Sequence, residues 1–130
     1  MSALEVELVG PEAVPAPEVR RLVELALARA GVAEGHVAVA FVDAEEIARL
    51  NAEHRGKPGP TDVLSFPVDE AGPIPGPPAL RELGDIVICP PHTSDLREAV
   101  VHGALHLVGF DHETDDGEML AVQAEVLAEA

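Results

Sequence analysis

The stretch His102-Gly-Ala-Leu-His106-Leu-Val-Gly109-Phe-Asp-His112 holds three of the six histidines in this 130-residue chain. On a helix, His102 and His106 project from one face, one turn apart. Gly109 is of the residue type that ends helices and reverses the chain, so His112 can approach the same point from a third direction. Three converging imidazoles predict a transition-metal site, and zinc is the metal that this donor set favours. The alternative is three unrelated histidines on a core helix.

The spacing equals that of the metzincin signature H-E-x-x-H-x-x-G-x-x-H, with Gly103 in place of the glutamate. In metalloproteases that glutamate is the general base that acts on zinc-bound water. Its absence indicates that the predicted metal serves a different hydrolytic reaction. Three protein ligands leave a fourth position on zinc open, as in catalytic sites, and water bound there has a pKa near about 7.

Around this motif, hydrophobic periodicity predicts the order β-α-β-α-β-β-α-α. The predicted strands are 4–8, 36–42, 62–66 and 84–89. The predicted helices run from the prolines at 15 and 17 to about 30, from 43 to about 54, from a cap at Thr93 or Ser94 to about Val108, and onward from near Thr114. A proline-rich stretch over 69–82 joins the third and fourth strands. This order predicts an α+β fold: a four-stranded mixed sheet with one antiparallel edge strand and helices packed on it, the metal helix central.

Length and composition predict one domain, residues 1–130, around one core, since 47% of the residues are hydrophobic. No stretch approaches the roughly 18 apolar residues of a membrane span. The first residues have neither the basic region nor the apolar block of a signal peptide. The single cysteine, Cys89, excludes an internal disulfide and fits a reducing compartment. We therefore predict a cytoplasmic protein without a membrane partner.

The charge of the chain argues against broad capture of nucleic acid. The formal net charge is −16, whereas such capture relies on lysine and arginine to neutralise phosphates. The chain has no tryptophan or tyrosine and three phenylalanines, which is too few aromatic rings for a base-stacking platform. A nucleic-acid substrate would therefore have to meet a local basic patch or be delivered by a partner.

Three segments, taken together, resemble one protein family. They are Arg55-Gly-Lys with Thr61-Asp-Val-Leu-Ser-Phe-Pro67, then Leu83-Gly-Asp-Ile-Val-Ile88, then the 102–112 motif. In this order they are similar to the bacterial YbeY family, the metal-dependent endoribonucleases of ribosomal RNA maturation. The resemblance extends from about residue 40 to about residue 120.

The resemblance implies a zincin-like fold with one Zn²⁺ per chain, held by His102, His106 and His112. It implies an essential arginine, Arg55, and we predict Arg55 and His102 as the catalytic residues. The implied role is 16S rRNA 3′-end maturation and ribosome quality control. The predicted partners are single-stranded RNA (rRNA) and ribosomal particles or a ribosomal protein, with no DNA. Two alternatives stay open: a zincin-type metalloprotease, and a non-catalytic ribosome-associated factor that uses zinc only as a structural clip.

Several side chains outside the motif are candidates for supporting roles. At the end of the second helix, the guanidinium of Arg55 can clamp two phosphate oxygens, although an arginine there also suits the helix dipole as a solvated side chain. Asp62, Asp85 and Asp111 are candidates for orienting histidine N–H groups, or else plain surface or turn carboxylates. Ser65 is a candidate for lining a substrate groove, or else an outward strand residue.

Overall fold

The computed structural model of the protein describes residues 3–67, 82–110 and 117–130. Its strands are β1 (Ala3–Val9), β2 (Glu34–Phe41), β3 (Val63–Pro67) and β4 (Glu82–Ile88). Its helices are α1 (Ala16–Ala28), α2 (Ala44–Arg55), α3 (Leu96–Leu107) and α4 (Glu118–Glu129), with a short 3₁₀ helix at Pro90–His92. Apart from that short turn, the order of elements confirms the predicted one.

The four strands form one mixed sheet in the order β1-β2-β4-β3. β1 pairs parallel with β2, and β2 pairs parallel with β4. β3 pairs antiparallel with β4 and forms an edge of the sheet. The α+β class, the mixed sheet and the antiparallel edge strand are therefore confirmed, whereas most of the proline-rich connection, 68–81, lies outside the described residues.

Helices cover both faces of this sheet. The alternation of β2 directs Val37 and Val39 to the main core, which α1, α3 and α4 complete. α2 lies on the opposite face, where Ile47 packs with Leu64 and Val87. α3 contacts β3, β4, α1 and α4, so the helix that carries the histidine motif is central in the layer.

The start of α3 differs from its prediction. Asp95, and neither Thr93 nor Ser94, is the N-cap: its carboxylate accepts from the N–H groups of Arg97 and Glu98. The helix starts later because the chain first makes the 3₁₀ turn, at whose end the Thr93 hydroxyl bonds to the backbone oxygen of Cys89 at 2.7 Å.

The starts of α2 and α4 and the end of β3 can also be compared with their predicted positions. The predicted start of α2 is confirmed, since Asp43 is its N-cap and accepts from the N–H of Glu46. Thr114, the expected start of the last helix, lies outside the described residues, and α4 is described from Glu118. Pro67, expected to stop the third strand, is instead its last residue; proline is tolerated at this position because β3 is an edge strand.

Candidate metal centre

His102 and His106 lie side by side on α3, as their spacing predicts. Their ring centroids are 4.8 Å apart and the ring planes make an angle of 76°. Two imidazoles bound to one tetrahedral zinc at about 2.0–2.1 Å have ring centroids about 5 Å apart. Both side chains are half-buried. The separation of the two rings is therefore compatible with a shared zinc ion.

The ring of His102 is held by a residue that the sequence analysis did not select. Nδ1 of His102 lies 2.8 Å from Oε1 of Gln123 on α4, and Gln123 is only 7% exposed. A carboxamide oxygen can only accept, so Nδ1 carries the proton and the lone pair of the neutral ring is on Nε2. The signal was present, because Gln123 is a polar residue four positions after buried Met119 and three before buried Val126.

The third predicted ligand, His112, and the candidate Asp111 both lie outside the described residues. Within 3–67, 82–110 and 117–130, no group of three histidine, cysteine, aspartate or glutamate side chains is placed to hold a metal ion. The described part of the chain thus brings together two of the three predicted ligands, and the assignment of His112 stays a prediction.

The histidine helix packs directly against the sheet at Gly103. A Cβ atom at this position would lie 2.5 Å from Cγ2 of Ile86 and 3.3 Å from both Oγ of Ser65 and Cγ2 of Val63. The Ser65 hydroxyl donates to the backbone oxygen of Gly103 at 2.9 Å. Position 103 therefore has no room for the glutamate of a metalloprotease, and Ser65 ties β3 to α3.

The two described aspartates that were candidates for orienting the histidines make other contacts. The Asp62 carboxylate accepts from the N–H of Val63 at 2.8 Å, at the start of β3. Asp85 pairs with Phe66 of β3. Since successive strand residues point to opposite faces of a sheet and Ile86 faces α3, the side chain of Asp85 lies on the face opposite α3. There Asp85 lines a cavity of about 610 Å³ with residues that include His54 and Phe66, and burial raises the pKa of its carboxyl. Gln123 makes the contact with His102 for which these aspartates were candidates.

A charged cluster joins three strands on that same face. The ring of His36 on β2 lies 2.8 Å from a carboxylate oxygen of Glu82 through Nδ1 and 2.9 Å from one of Glu7 through Nε2. The hydrogen bond to Glu82, supported by that to Glu7, raises the pKa of His36 above its ordinary value of 6.5. The ring therefore links β1 to β4 across β2.

Arg55 is the last residue of α2 and is exposed. Although α2 lies on the face opposite α3, its last turn reaches the edge strand: the ring of His54 and that of Phe66 have centroids 4.9 Å apart. Ser65, the neighbour of Phe66, contacts α3 from the other side. The edge strand β3 thus has the turn that ends in Arg55 on one face and the histidine helix on the other.

Most of the described cations are neutralised by neighbouring carboxylates. The ion pairs use Arg20, Arg29, Arg49 and Arg97, and Arg21 donates to the backbone oxygen of Glu129. Arg55 and Lys57 are exposed and form no ion pair with another described residue. We call these two residues the basic pair.

The fold and the paired histidines define an α+β protein with a candidate metal helix packed against its sheet. The sequence model described as "Endoribonuclease YbeY" matches residues 12–130. Endoribonuclease YbeY of Geobacillus thermodenitrificans is 42% identical in an alignment of 126 positions, which covers 82% of this chain and 81% of that protein. The Micrococcus luteus protein of the same name is 36% identical in an alignment of 144 positions, which covers 97% of this chain and 92% of its own length.

The chain therefore belongs to the YbeY family. This confirms the family that the three motifs predicted and, with it, the predicted class of enzyme, an endoribonuclease. The solution structure of TM1509 from Thermotoga maritima has a similar fold, with a TM-score of 0.57 and 27% identity over 97% of this chain and 87% of that one. In the described ranges, no helix is both long enough and apolar enough to cross a lipid bilayer.

Proposed function

We propose that this protein is a zinc-dependent, single-strand-specific endoribonuclease of the cytoplasm that acts in 16S rRNA 3′-end maturation and ribosome quality control. Membership of a family whose curated members are named as endoribonucleases supports RNA as the substrate. The observation that carries zinc dependence is the pair of His102 and His106 rings, whose separation fits one tetrahedral ion.

In the proposed site, His102, His106 and His112 hold one zinc ion, and the domain is zincin-like with α3 as its metal helix. When bound, zinc with an open fourth position supplies Lewis-acid polarisation of a phosphoryl oxygen and activation of water. His102 presents Nε2 because Gln123 holds its Nδ1 proton. Gly103 sets how closely both histidines approach the sheet, since its missing side chain permits the contact with Ile86.

Arg55 is the proposed contact for the substrate phosphate. A guanidinium matches two phosphate oxygens at once, and that of Arg55 is not engaged by a described carboxylate. The last turn of α2, which ends in Arg55, packs over Phe66 through the ring of His54. Phe66 is the residue after Ser65 on the edge strand. Arg55 and His102 are therefore the proposed catalytic residues: Arg55 would meet the negative charge that develops in the transition state, and His102 would act through the zinc ion that it holds.

The charge distribution supports single-stranded rRNA presented by a ribosomal particle or a ribosomal protein. The chain has a net charge of −16, and the basic pair offers two positive charges for phosphate contact. A duplex brings a dense array of phosphates to the acidic surface, whereas a single strand can place a few phosphates at the basic pair. A partner that holds the RNA replaces the electrostatic capture that this surface lacks.

The test is cleavage of a single-stranded 16S rRNA 3′ segment by protein purified without chelator, then after chelation, then after zinc is restored. We expect about one zinc per chain by elemental analysis, loss of cleavage on chelation, and recovery with zinc. A matched duplex and casein are the control substrates. RNA cleavage that persists in metal-free protein would contradict zinc dependence, and cleavage of casein alone would support the metalloprotease alternative.

A further inference from the structure

We propose that Gln123 is a positioning residue that sets the tautomer and the ring orientation of His102 for metal binding. The inference rests on the proposed zinc site and deepens it, because it assigns a role to a residue on a different helix from the two described histidines. Three features of the structure support it: the contact itself, the burial of the side chain, and its chemical type.

The contact links the two helices that flank His112 in the sequence. Gln123 extends from α4 to α3, where its Oε1 lies 2.8 Å from Nδ1 of His102. Histidine ligands of metals commonly donate their second ring N–H to an oxygen, which fixes the tautomer and the direction of the coordinating nitrogen. Gln123 supplies such an oxygen, so that Nε2 is the nitrogen that would coordinate a metal.

The hydrogen bond of Gln123 accounts for the presence of a polar side chain at this buried position. Asn51 and Gln123 are the buried polar residues among those whose burial is described. Gln123 lies in the apolar stripe of α4 between Met119 and Val126, which are both fully buried. A buried carboxamide costs free energy unless it is hydrogen-bonded, and its oxygen meets this requirement at His102.

The chemical type of the side chain also suits a catalytic ion. An amide oxygen accepts the His102 proton without bringing a negative charge to the site, whereas a carboxylate would also raise the basicity of the ligand. With neutral ligands, a bound zinc ion would keep its charge for polarising a phosphoryl oxygen. Gln123 thus orients the ligand while leaving the Lewis acidity of the proposed centre intact.

The experiment compares four proteins: the wild type, Gln123→Met, Gln123→Glu and Val126→Ala. Methionine keeps the length and removes the acceptor, and glutamate keeps an acceptor oxygen. Val126→Ala is the matched control, since it loosens the packing of α4 and leaves the Gln123 carboxamide in place. We expect zinc affinity, measured by competition with a chromophoric chelator, to fall about 10–100-fold in Gln123→Met and to stay within a few-fold of wild type in the other two.

A second measurement needs no metal. In metal-free wild-type protein, nitrogen-detected NMR of the ring should show His102 with its proton on Nδ1, and Gln123→Met should shift the population toward the Nε2–H tautomer. Equal zinc affinity in the wild type and Gln123→Met, or an Nε2–H tautomer in the wild type, would overturn the role of Gln123. Failure of the wild type to bind zinc would instead overturn the proposed function.

Discussion

Gly103→Ala should destabilise the protein even though alanine is the better helix former. The new Cβ would lie 2.5 Å from Cγ2 of Ile86, a methyl group attached directly to Cβ of a fully buried residue in β4. This methyl cannot rotate away without changing the rotamer of a β-branched side chain in a packed core. The helix must therefore move away from the sheet, or Ile86 must leave its rotamer.

The expected magnitude is the difference between two opposing effects. Overpacking of a well-filled core costs about 1–3 kcal/mol, and the 2.5 Å approach places this substitution at the upper end. Replacement of glycine by alanine in a helix interior returns about 1 kcal/mol. The free energy of unfolding should fall by about 1–2 kcal/mol, which for a domain of this size lowers the Tm by about 4–8 °C.

The measurement is urea denaturation at 25 °C, followed by circular dichroism in the presence of chelator so that bound metal does not add to stability. Ile86→Leu provides the control, because it removes the methyl on Cβ and on its own costs less than about 1.5 kcal/mol. In a double-mutant cycle, the two changes together should destabilise less than the sum of each alone. A Gly103→Ala protein as stable as the wild type would refute the argument.

Three further predictions concern the site and the opposite sheet face. His106→Ala should abolish metal-dependent RNA cleavage and leave a folded protein that zinc no longer stabilises, measured by thermal melts with and without zinc; near wild-type cleavage would show that zinc is not catalytic. Arg55→Ala should reduce turnover by roughly 10²–10³-fold with unchanged zinc content, and Arg55→Lys should recover only part of the lost turnover. The control is Arg49→Ala, at an exposed arginine already paired with Glu46, which should cleave like the wild type. His36→Gln should lose roughly 0.5–1 kcal/mol of stability at pH 6. Because the folded pKa of His36 is raised above 6.5, this difference should be complete below about pH 6.5 and should shrink as the pH rises through the folded pKa; a difference that stays constant from pH 6 to 9 would contradict the ion pairs.

Local patterns predicted the elements well because their causes are local. The alternation of Val37 and Val39 appears directly as one buried face of β2, and the spacing of His102 and His106 translates into neighbouring rings without further information. The antiparallel edge strand was also predicted: the proline-rich connection before the fourth strand has no helical periodicity, whereas a parallel crossover usually contains a helix. These features depend on periodicity and chain connectivity alone.

The errors lie where distant segments meet. Asp85 was a candidate partner for the histidines, and strand alternation instead directs it to the face opposite α3. Gln123, which does contact His102, is 21 residues away along the chain, and nothing local relates the two. Asp95 caps α3 because a 3₁₀ turn precedes it. The two successive prolines in that turn are equally compatible with the simple end of a strand, so the sequence did not reveal the turn. Such contacts depend on how the elements pack, which a single sequence does not contain.

The ion pairs among the described arginines have a consequence for the thermodynamics of RNA binding. Each phosphate that a protein neutralises on a single strand releases bound counterions, and the logarithm of the affinity then falls with the logarithm of the salt concentration by about 0.7 per contact. Arg55 and Lys57 are the arginine and lysine side chains in the described part of the chain that have neither an ion pair nor a hydrogen bond, and RNA contact through this basic pair alone gives an expected slope of about −1.4. The isolated protein should therefore bind RNA weakly and with little sensitivity to ionic strength, and a steep salt dependence should arise only from the particle that presents the RNA.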